Sequence, residues 1–98
     1  MIGLIWRYEV LEEARAAFET AYGPTGAWAR LFARADGFRG TELFKAEDGS
    51  YLTLDVWRSK ADFDAFLAEH RADYEALDRS THGWTSCEHR LGEYEIMD

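Results

Sequence analysis

The sequence predicts an α+β fold in which one four-stranded antiparallel sheet carries its helices on one face. Three observations lead to it: period-two alternation of apolar side chains in four segments, helical spacing in the segments between them, and the order βαββαβ. A chain of 98 residues is long enough to build one such core and too short for two. We therefore assign residues 1–98 to one domain.

The first third of the chain is predicted to form a strand followed by a kinked helical region. From Ile2 to Val10 every even position is apolar or aromatic, which indicates a strand with one buried face. Helical spacing follows from about 12 to 22, and Gly23-Pro24 stops or kinks this helix because proline lacks an amide donor. Thr25 is expected to cap a second helix that ends at Gly37.

A hairpin is predicted next. Strands at 41–46 and 51–58 flank Asp48-Gly49, a pair typical of tight turns because glycine readily adopts a positive φ. The second of these strands has two chemically different faces, and the sequence leaves open which one is buried. One face carries Leu52, Leu54 and Val56, and the other carries Tyr51, Thr53, Asp55 and Trp57.

The last part of the chain is predicted to form a long helix and a final strand. Ser59 and Asp62 have the spacing of a capping box. The final strand runs from about 85 to 97, with a bulge expected at Gly92. The helix presents one apolar stripe made of Phe63, Phe66, Leu67, His70, Tyr74 and Leu77.

The order of these elements fixes the topology. Helices between strands 1 and 2 and between strands 3 and 4 require crossovers, whose right-handedness places both helices on the same face of the sheet. This is the ferredoxin-like split βαβ arrangement. Its other sheet face stays bare, and large apolar groups occupy either face of the third strand. The sequence therefore predicts a partner for that face, most simply a second copy of the chain.

Charge and cysteine content exclude several classes of partner and location. Eleven basic and nineteen acidic side chains give a net charge of −8, which repels nucleic acid and anionic membranes. The first residues lack the pattern of a signal peptide, and no apolar run approaches the ~20 residues of a membrane helix. Cys87 is the single cysteine, so no internal disulfide can form. We expect a cytoplasmic protein.

The layout, with the junction Trp57-Arg58-Ser59 leading into Phe63 and Phe66 and with the closing strand, is similar to one family. It resembles the antibiotic biosynthesis monooxygenase (ABM) group of the dimeric α+β barrel superfamily over nearly the whole chain. The resemblance implies a homodimer whose sheets pack face to face into a barrel, with a ligand pocket between sheet and helices in each monomer. Enzymes of this group oxidise polycyclic aromatic substrates with molecular oxygen and use no flavin, heme or metal.

A candidate substrate pocket follows from the helix faces that should turn inward. A dry aromatic pocket suits a flat substrate, and a nearby base favours the substrate phenolate, which is the electron donor to oxygen. The inward faces carry Tyr22, Trp28, Phe32, Phe63, Phe66, His70 and Tyr74.

His70 is the candidate catalytic base because it interrupts an otherwise apolar stripe and its neutral imidazole can accept a proton near physiological pH. The alternative is a partly buried histidine that bonds a backbone carbonyl or a carboxylate. Tyr74 is the second catalytic candidate, as a hydrogen-bond donor to a quinone oxygen; a buried tyrosine also finds a partner for purely structural reasons.

Two further residues have alternative interpretations. Trp57 matches a strand-end tryptophan of the family, so the resemblance implies contact with substrate, although an anchor of the helix junction or the dimer explains it equally. Asp55 either forms a cross-strand ion pair with Arg7 or another structural contact, which we favour, or acts as a second proton acceptor.

The absence of asparagine argues against one branch of the superfamily. Heme-degrading relatives use an asparagine in the first strand, a tryptophan and a helix histidine that ligates iron. This chain has Trp57 and His70 but contains no asparagine, so heme degradation is the weakest alternative, while heme binding through His70 stays open. The leading hypothesis is a cofactor-independent monooxygenase acting on a small aromatic or polyketide-like substrate. The runner-up is a non-catalytic dimeric protein that binds such a ligand.

Overall fold

The computed structural model describes residues 1–97, so the last residue of the predicted domain lies outside it. Within this range the alternation and helical spacing of the sequence give four strands and three α-helices, in the predicted order. Short 3₁₀ turns precede the first helix and the last strand. The strands are β1 (Ile2–Val10), β2 (Phe38–Lys45), β3 (Tyr51–Trp57) and β4 (Thr85–Glu95), and the helices are α1 (Arg15–Tyr22), α2 (Ala27–Phe32) and α3 (Lys60–Thr81).

The four strands form one antiparallel sheet in the order β2-β3-β1-β4. Strands β1 and β3 are central, and the crossovers through α1–α2 and through α3 lie on the same face. The predicted ferredoxin-like α+β fold is therefore confirmed. The bulge expected in β4 is also present: Gly92 pairs with Ile5 and Arg90 with Trp6, which leaves Leu91 without a partner in the ladder.

Contacts of β3 decide which of its faces is buried. The ring of Tyr51 lies 4.9 Å from that of Phe18 in α1, and the ring of Trp57 lies 5.5 Å from that of Phe66 in α3. The face that carries Tyr51, Thr53, Asp55 and Trp57 is thus the one covered by helices. The opposite face, with Leu52, Leu54 and Val56, is the bare side of the sheet, where half of the Phe44 side chain is exposed.

Three predicted boundaries are wrong, and two of them have identifiable reasons. The second helix ends at Phe32 instead of Gly37. Thr25 does not cap α2; the N-cap is Gly26, which makes no side-chain cap. A Cβ at Gly26 would lie 2.2 Å from the carbonyl oxygen of Thr20, so the close approach of α1 selects glycine at the cap position. Strand β2 begins at Phe38 instead of Thr41, because the Phe38 ring packs 5.3 Å from Trp57.

The Ser59 half of the predicted capping box at α3 is confirmed. Ser59 has an extended backbone, and its Oγ accepts a hydrogen bond of 3.2 Å from the backbone amide of Asp62. Arg58 holds the Asp62 carboxylate with two hydrogen bonds of 2.7 and 2.8 Å. The start of α3 is therefore fixed directly after β3 ends.

An aromatic core fills the space between sheet and helices. Trp57 is fully buried, and four rings surround it at centroid distances of 5.3 to 5.6 Å. These rings come from three other elements, so Trp57 joins β3 to β2, α2 and α3. They belong to Phe32, Phe38, Phe63 and Phe66.

The helices of residues 1–97 do not combine the length and apolar composition that a membrane crossing requires.

The sequence predicts a helix cap at both Ser59 and Thr25, and substitution of these two residues should have different effects on the free energy of unfolding. Ser59→Ala removes an N-cap acceptor and should lower the free energy of unfolding by about 1 kcal/mol. Thr25→Ala removes no cap and should change it by less than about 0.5 kcal/mol. Urea denaturation of the two variants measures both values, and an equal loss would contradict the observed capping.

Candidate functional site

A cavity lies between the sheet and the helices. Its unfilled space is about 510 Å³ when the solvent at its open mouth is included. All four strands and all three α-helices contribute to its wall. The lining residues are Trp6, Tyr8, Tyr22, Trp28, Phe32, Thr41, Thr53, Asp55, Tyr74, Asp78 and Glu88.

The strands supply the floor of the cavity. Because side chains alternate along a strand, residues that pair across strands share a face. Trp6 pairs with Thr53, and Asp55 pairs with Thr41, so four floor residues follow directly from the register. Tyr8 pairs with Glu88 of β4, which extends the same surface to the edge of the sheet.

The helices supply aromatic walls. Tyr22 is the last residue of α1, and the turn at Gly23-Pro24 leads into α2, which presents Trp28 and Phe32 one turn apart. The Trp28 ring lies 5.9 Å from Tyr22, 5.8 Å from Phe32 and 5.2 Å from Tyr74 of α3. Trp28 is therefore the centre of the helical wall.

Asp55 is the carboxyl on the cavity floor. Thr41 Oγ1 donates a hydrogen bond of 2.7 Å to Asp55 Oδ1. Burial raises the pKa of Asp55 to about 6, and the Thr41 hydrogen bond only partly opposes this rise. Asp55 can thus exchange a proton near neutral pH, which a general base requires.

The expected ion pair between Asp55 and Arg7 does not form. Arg7 pairs with Leu52 in the ladder, so its side chain lies on the opposite face of the sheet from Asp55. Its guanidinium contacts Glu9 at 3.2 Å and Asp48 at 3.6 Å. Thr41, the cross-strand neighbour, is the structural partner of Asp55 instead.

Tyrosine hydroxyls stay protonated in the cavity. Burial raises the pKa of Tyr22 to about 12, and burial also raises the pKa of Tyr8 and of Tyr74. Tyr22 Oη already donates a hydrogen bond of 3.1 Å to Thr81 Oγ1. The Tyr74 hydroxyl makes no hydrogen bond to the rest of residues 1–97, which leaves its proton available to a ligand.

Two polar groups of the wall lack partners within residues 1–97. Trp28 Nε1 and Thr53 Oγ1 are buried and have no partner in good hydrogen-bond geometry, although the Tyr22 hydroxyl lies near the first and the Tyr8 hydroxyl near the second. A third such atom, Trp57 Nε1, lies in the aromatic core. Unpaired buried polar groups are unusual in folded proteins, and they are often found at functional sites.

The cavity brings together only part of the residues that the sequence singled out. Tyr22, Trp28, Phe32 and Tyr74 line it. Trp57, Phe63 and Phe66 belong to the aromatic core beside it. The roles proposed for these residues stay predictions.

His70 lies on α3 next to the core, outside the cavity lining. Its ring is 5.2 Å from that of Phe66. Its backbone is non-helical (φ −116°, ψ 25°), so His70 divides α3 into a first half that packs on the core and a second half that reaches the cavity. Its role as a base stays a prediction.

The sequence-based prediction missed several residues of the cavity lining. The face of the strand or helix on which most of them lie could have identified them. Trp6 and Tyr8 share the period-two face of β1, and Asp78 lies one helical turn after Tyr74. Thr41 and Thr53 follow once the face of Asp55 is known to be buried. Glu88 is different, because only the register across the β4 bulge places it beside Tyr8.

Metal ligands are not clustered in this part of the chain: residues 1–97 contain no group of three or more His, Cys, Asp or Glu side chains arranged to hold a metal ion.

The family model described as antibiotic biosynthesis monooxygenase matches residues 1–76. The chain belongs to this family. The match includes β1, both helices of the first crossover, the hairpin and most of α3. No curated protein matches the chain.

Solved structures share the fold of this ABM protein. SnoaB, a cofactor-independent oxygenase from Streptomyces nogalater, is 23% identical with a TM-score of 0.75, over 99% of this chain and 93% of that one. Rv0793 from Mycobacterium tuberculosis is 19% identical with a TM-score of 0.68, over 99% and 95%. A variant of MhuD with two manganese protoporphyrin IX molecules per active site is 20% identical with a TM-score of 0.71, over 100% and 97%.

The raised pKa of Asp55 makes the stability of this ABM protein depend on pH. Burial lifts the pKa from 3.8 to about 6, so between these pH values the folded state binds more protons than the unfolded state. The stability that the neutral carboxyl contributes is present below pH 3.8 and is lost as pH rises through about 6. Asp55→Asn should therefore gain about 1–3 kcal/mol relative to wild type between pH 4 and pH 7.5.

Urea denaturation at the two pH values measures this difference. Asp36→Asn, at an exposed position outside the cavity lining, supplies a matched control. An Asp55→Asn variant that follows the wild type across the whole range would show that Asp55 titrates normally.

Proposed function

We propose that this protein is a cofactor-independent monooxygenase that oxidises a small phenolic aromatic with molecular oxygen. The observation that carries the proposal is one ionisable carboxyl, Asp55, on the floor of a cavity whose walls are aromatic. Membership of the ABM family supports it, and so does the shared fold with SnoaB, a cofactor-independent oxygenase. We also propose that residues 1–98 act as one unit, since β4 follows the matched region yet pairs with β1.

The aromatic walls position the substrate. A flat ring can pack against Trp28, Phe32 and Tyr74, whose own rings are tilted against one another by 40 to 70°. Apolar walls exclude water from the ring, which strengthens electrostatic contacts inside the cavity. Substrate orientation therefore depends on the helical wall, and proton transfer depends on the floor.

Asp55 accepts the substrate proton in this proposal. The ionised carboxylate removes the phenolic proton, and the resulting anion transfers one electron to oxygen. Combination of the two radicals forms a carbon–oxygen bond, and loss of water then leaves a quinone. The substrate thus loses two hydrogen atoms and gains one oxygen atom, and the other oxygen atom leaves as water.

Tyr74 stabilises the oxygen anion of the substrate. Its hydroxyl is free of other partners in residues 1–97, and its raised pKa keeps it protonated. A neutral donor favours the phenolate without transferring its own proton. Tyr22 holds the wall in place through its bond to Thr81 instead.

Oxygen uptake with a polyphenol tests the base. Asp55→Asn keeps the size of the side chain and should lower kcat/KM by about 10²- to 10⁴-fold, the usual contribution of a general base. Wild-type kcat/KM should rise with pH through about 6, as Asp55 ionises. His70→Ala, assayed in parallel, tests the histidine as the base, and Asp36→Asn is the control. Full activity of Asp55→Asn would remove Asp55 from the mechanism.

The same oxygen electrode tests catalysis itself. Binding of aromatic ligands without any oxygen uptake would contradict the monooxygenase proposal and support a non-catalytic ligand-binding protein.

We further propose that the bare sheet face binds a second copy of the chain. This face carries Leu52, Leu54 and Val56 of β3 together with Ile5 and the half-exposed Phe44. Apolar side chains aligned on one open face are typical of a self-association surface. The cavity lies on the opposite side of the sheet, so such pairing leaves it accessible.

Light scattering measures the assembly. Wild type should have twice the 11.3 kDa mass of one chain. Leu54→Lys places a charge in the middle of the bare face and should give monomers, while Glu69→Lys on the exposed side of α3 should leave the dimer intact. A dimeric Leu54→Lys variant would move the interface elsewhere.

A further inference from the structure

The polar lining of the cavity has one sign of charge. Three of its lining residues are acids and none is lysine, arginine or histidine. Asp55 lies on the floor, while Asp78 of α3 and Glu88 of β4 are exposed and lie at the mouth. A negative potential therefore extends from the mouth to the floor, and low-dielectric aromatic walls strengthen it.

The remaining lining residues are chiefly aromatic, and aromatic rings also contribute to the binding of cations. Ring faces attract cations through their quadrupole, and tryptophan does so most strongly. Two tryptophans line this cavity, Trp6 from the sheet and Trp28 from the helical wall. Trp28 meets Tyr74 edge to face at 70°, so differently oriented rings adjoin in one corner.

Unpaired polar atoms point independently to a ligand with polar groups. Thr53 is 3% exposed and lines the cavity, and its hydroxyl oxygen has no partner in good hydrogen-bond geometry within residues 1–97, although the Tyr8 hydroxyl lies close to it. Trp28 Nε1, a donor, is likewise unpaired. A purely hydrocarbon ligand would leave both groups unsatisfied.

We propose that this cavity selects aromatic ligands that carry a protonated amine and rejects analogues that carry a carboxylate. The inference rests on the proposed function, because it names the substrate class of the same cavity. The ammonium group pairs with Asp78 and Glu88 at the mouth, and the ring packs against the aromatic wall with its hydroxyl toward Asp55. An anionic analogue meets three like charges and no cation.

The pH dependence of amine binding provides a second test of the proposal. Burial raises the pKa of Asp55 to about 6, and burial together with the neighbouring Asp78 raises the pKa of Glu88. An amine stays protonated well above this range, so its attraction to the site should grow as the carboxyls ionise. The titratable groups that face these carboxyls are Tyr8 of β1, Tyr22 of α1, Tyr74 and Asp78 of α3, and His82 beside Glu88.

Three ligands with one phenol ring and different charges test the selection: tyramine, 4-ethylphenol and 3-(4-hydroxyphenyl)propionate. Titrations in oxygen-free buffer follow the NMR signal of the Trp28 indole N–H, assigned by its loss in Trp28→Phe. At pH 7.5 tyramine should bind about fivefold or more tighter than 4-ethylphenol, and the propionate more weakly than either. Tyramine affinity should rise severalfold from pH 5 to pH 7.5, and Asp55→Asn should abolish most of this rise.

Charge variants at the mouth complete the test. Glu88→Lys should reverse the order, so that the propionate binds more tightly than tyramine. Glu88→Gln and Asp78→Asn each remove one charge and should lower the tyramine preference, which keeps the test valid if Glu88→Lys fails to fold. Glu47→Gln, on the exposed hairpin, should leave the preference unchanged.

Equal affinities for the three ligands, tighter binding of the propionate by wild type, or no shift of the Trp28 signal with tyramine would each overturn the inference. None of these outcomes concerns oxygen chemistry, because oxygen is absent from the titrations. Oxygen uptake measured separately can therefore fail while the charge selection holds, or hold while the charge selection fails.

Discussion

The structure depends on the burial of Trp57 at the end of β3. Its indole ring is fully enclosed by rings from β2, α2 and α3, so one side chain fixes how the sheet and two helices meet. Asp55 precedes it by two residues and must point to the same face. The contact that closes the core therefore also fixes the position of the carboxyl in the cavity.

The cavity is the region where this core remains incomplete. Around Trp57 the rings pack against each other, whereas the floor around Asp55 includes two smaller polar residues, Thr41 and Thr53. A gap flanked by threonines and a carboxyl, inside an aromatic shell, leaves polar groups with few protein partners. The domain tolerates these poorly paired polar groups because the rest of its core is densely aromatic.

The sequence predicted the fold well because its signals are local. Period-two alternation located β1, the Asp48-Gly49 turn located the hairpin, and the Ser59 capping box located the start of α3. The predicted cap at Thr25 was wrong because the close approach of α1 to Gly26, a contact between segments, decides which residue caps α2. Boundaries set by tertiary contacts are not visible in a one-dimensional pattern.

The site was predictable only on the helical side. Helix spacing placed Tyr22, Trp28, Phe32 and Tyr74 on inward faces, and the structure finds them at the cavity. The floor depends on which face of β3 is covered and on the register across the β4 bulge, which decides where Glu88 lies. The pairing of Asp55 with Thr41 instead of Arg7 has the same origin, since ladder register decides which residues face each other.

The alternation of β3 also bears on how such a protein can evolve. Odd-numbered residues of this strand face the helices, and Thr53 and Asp55 among them line the cavity, while even-numbered residues face away from the helices. Because neighbours along the strand do not share a surface, drift at positions 53 and 55 can change what is bound while positions 52, 54 and 56 keep their own contacts. Seven consecutive residues thus form two surfaces that can vary independently of each other.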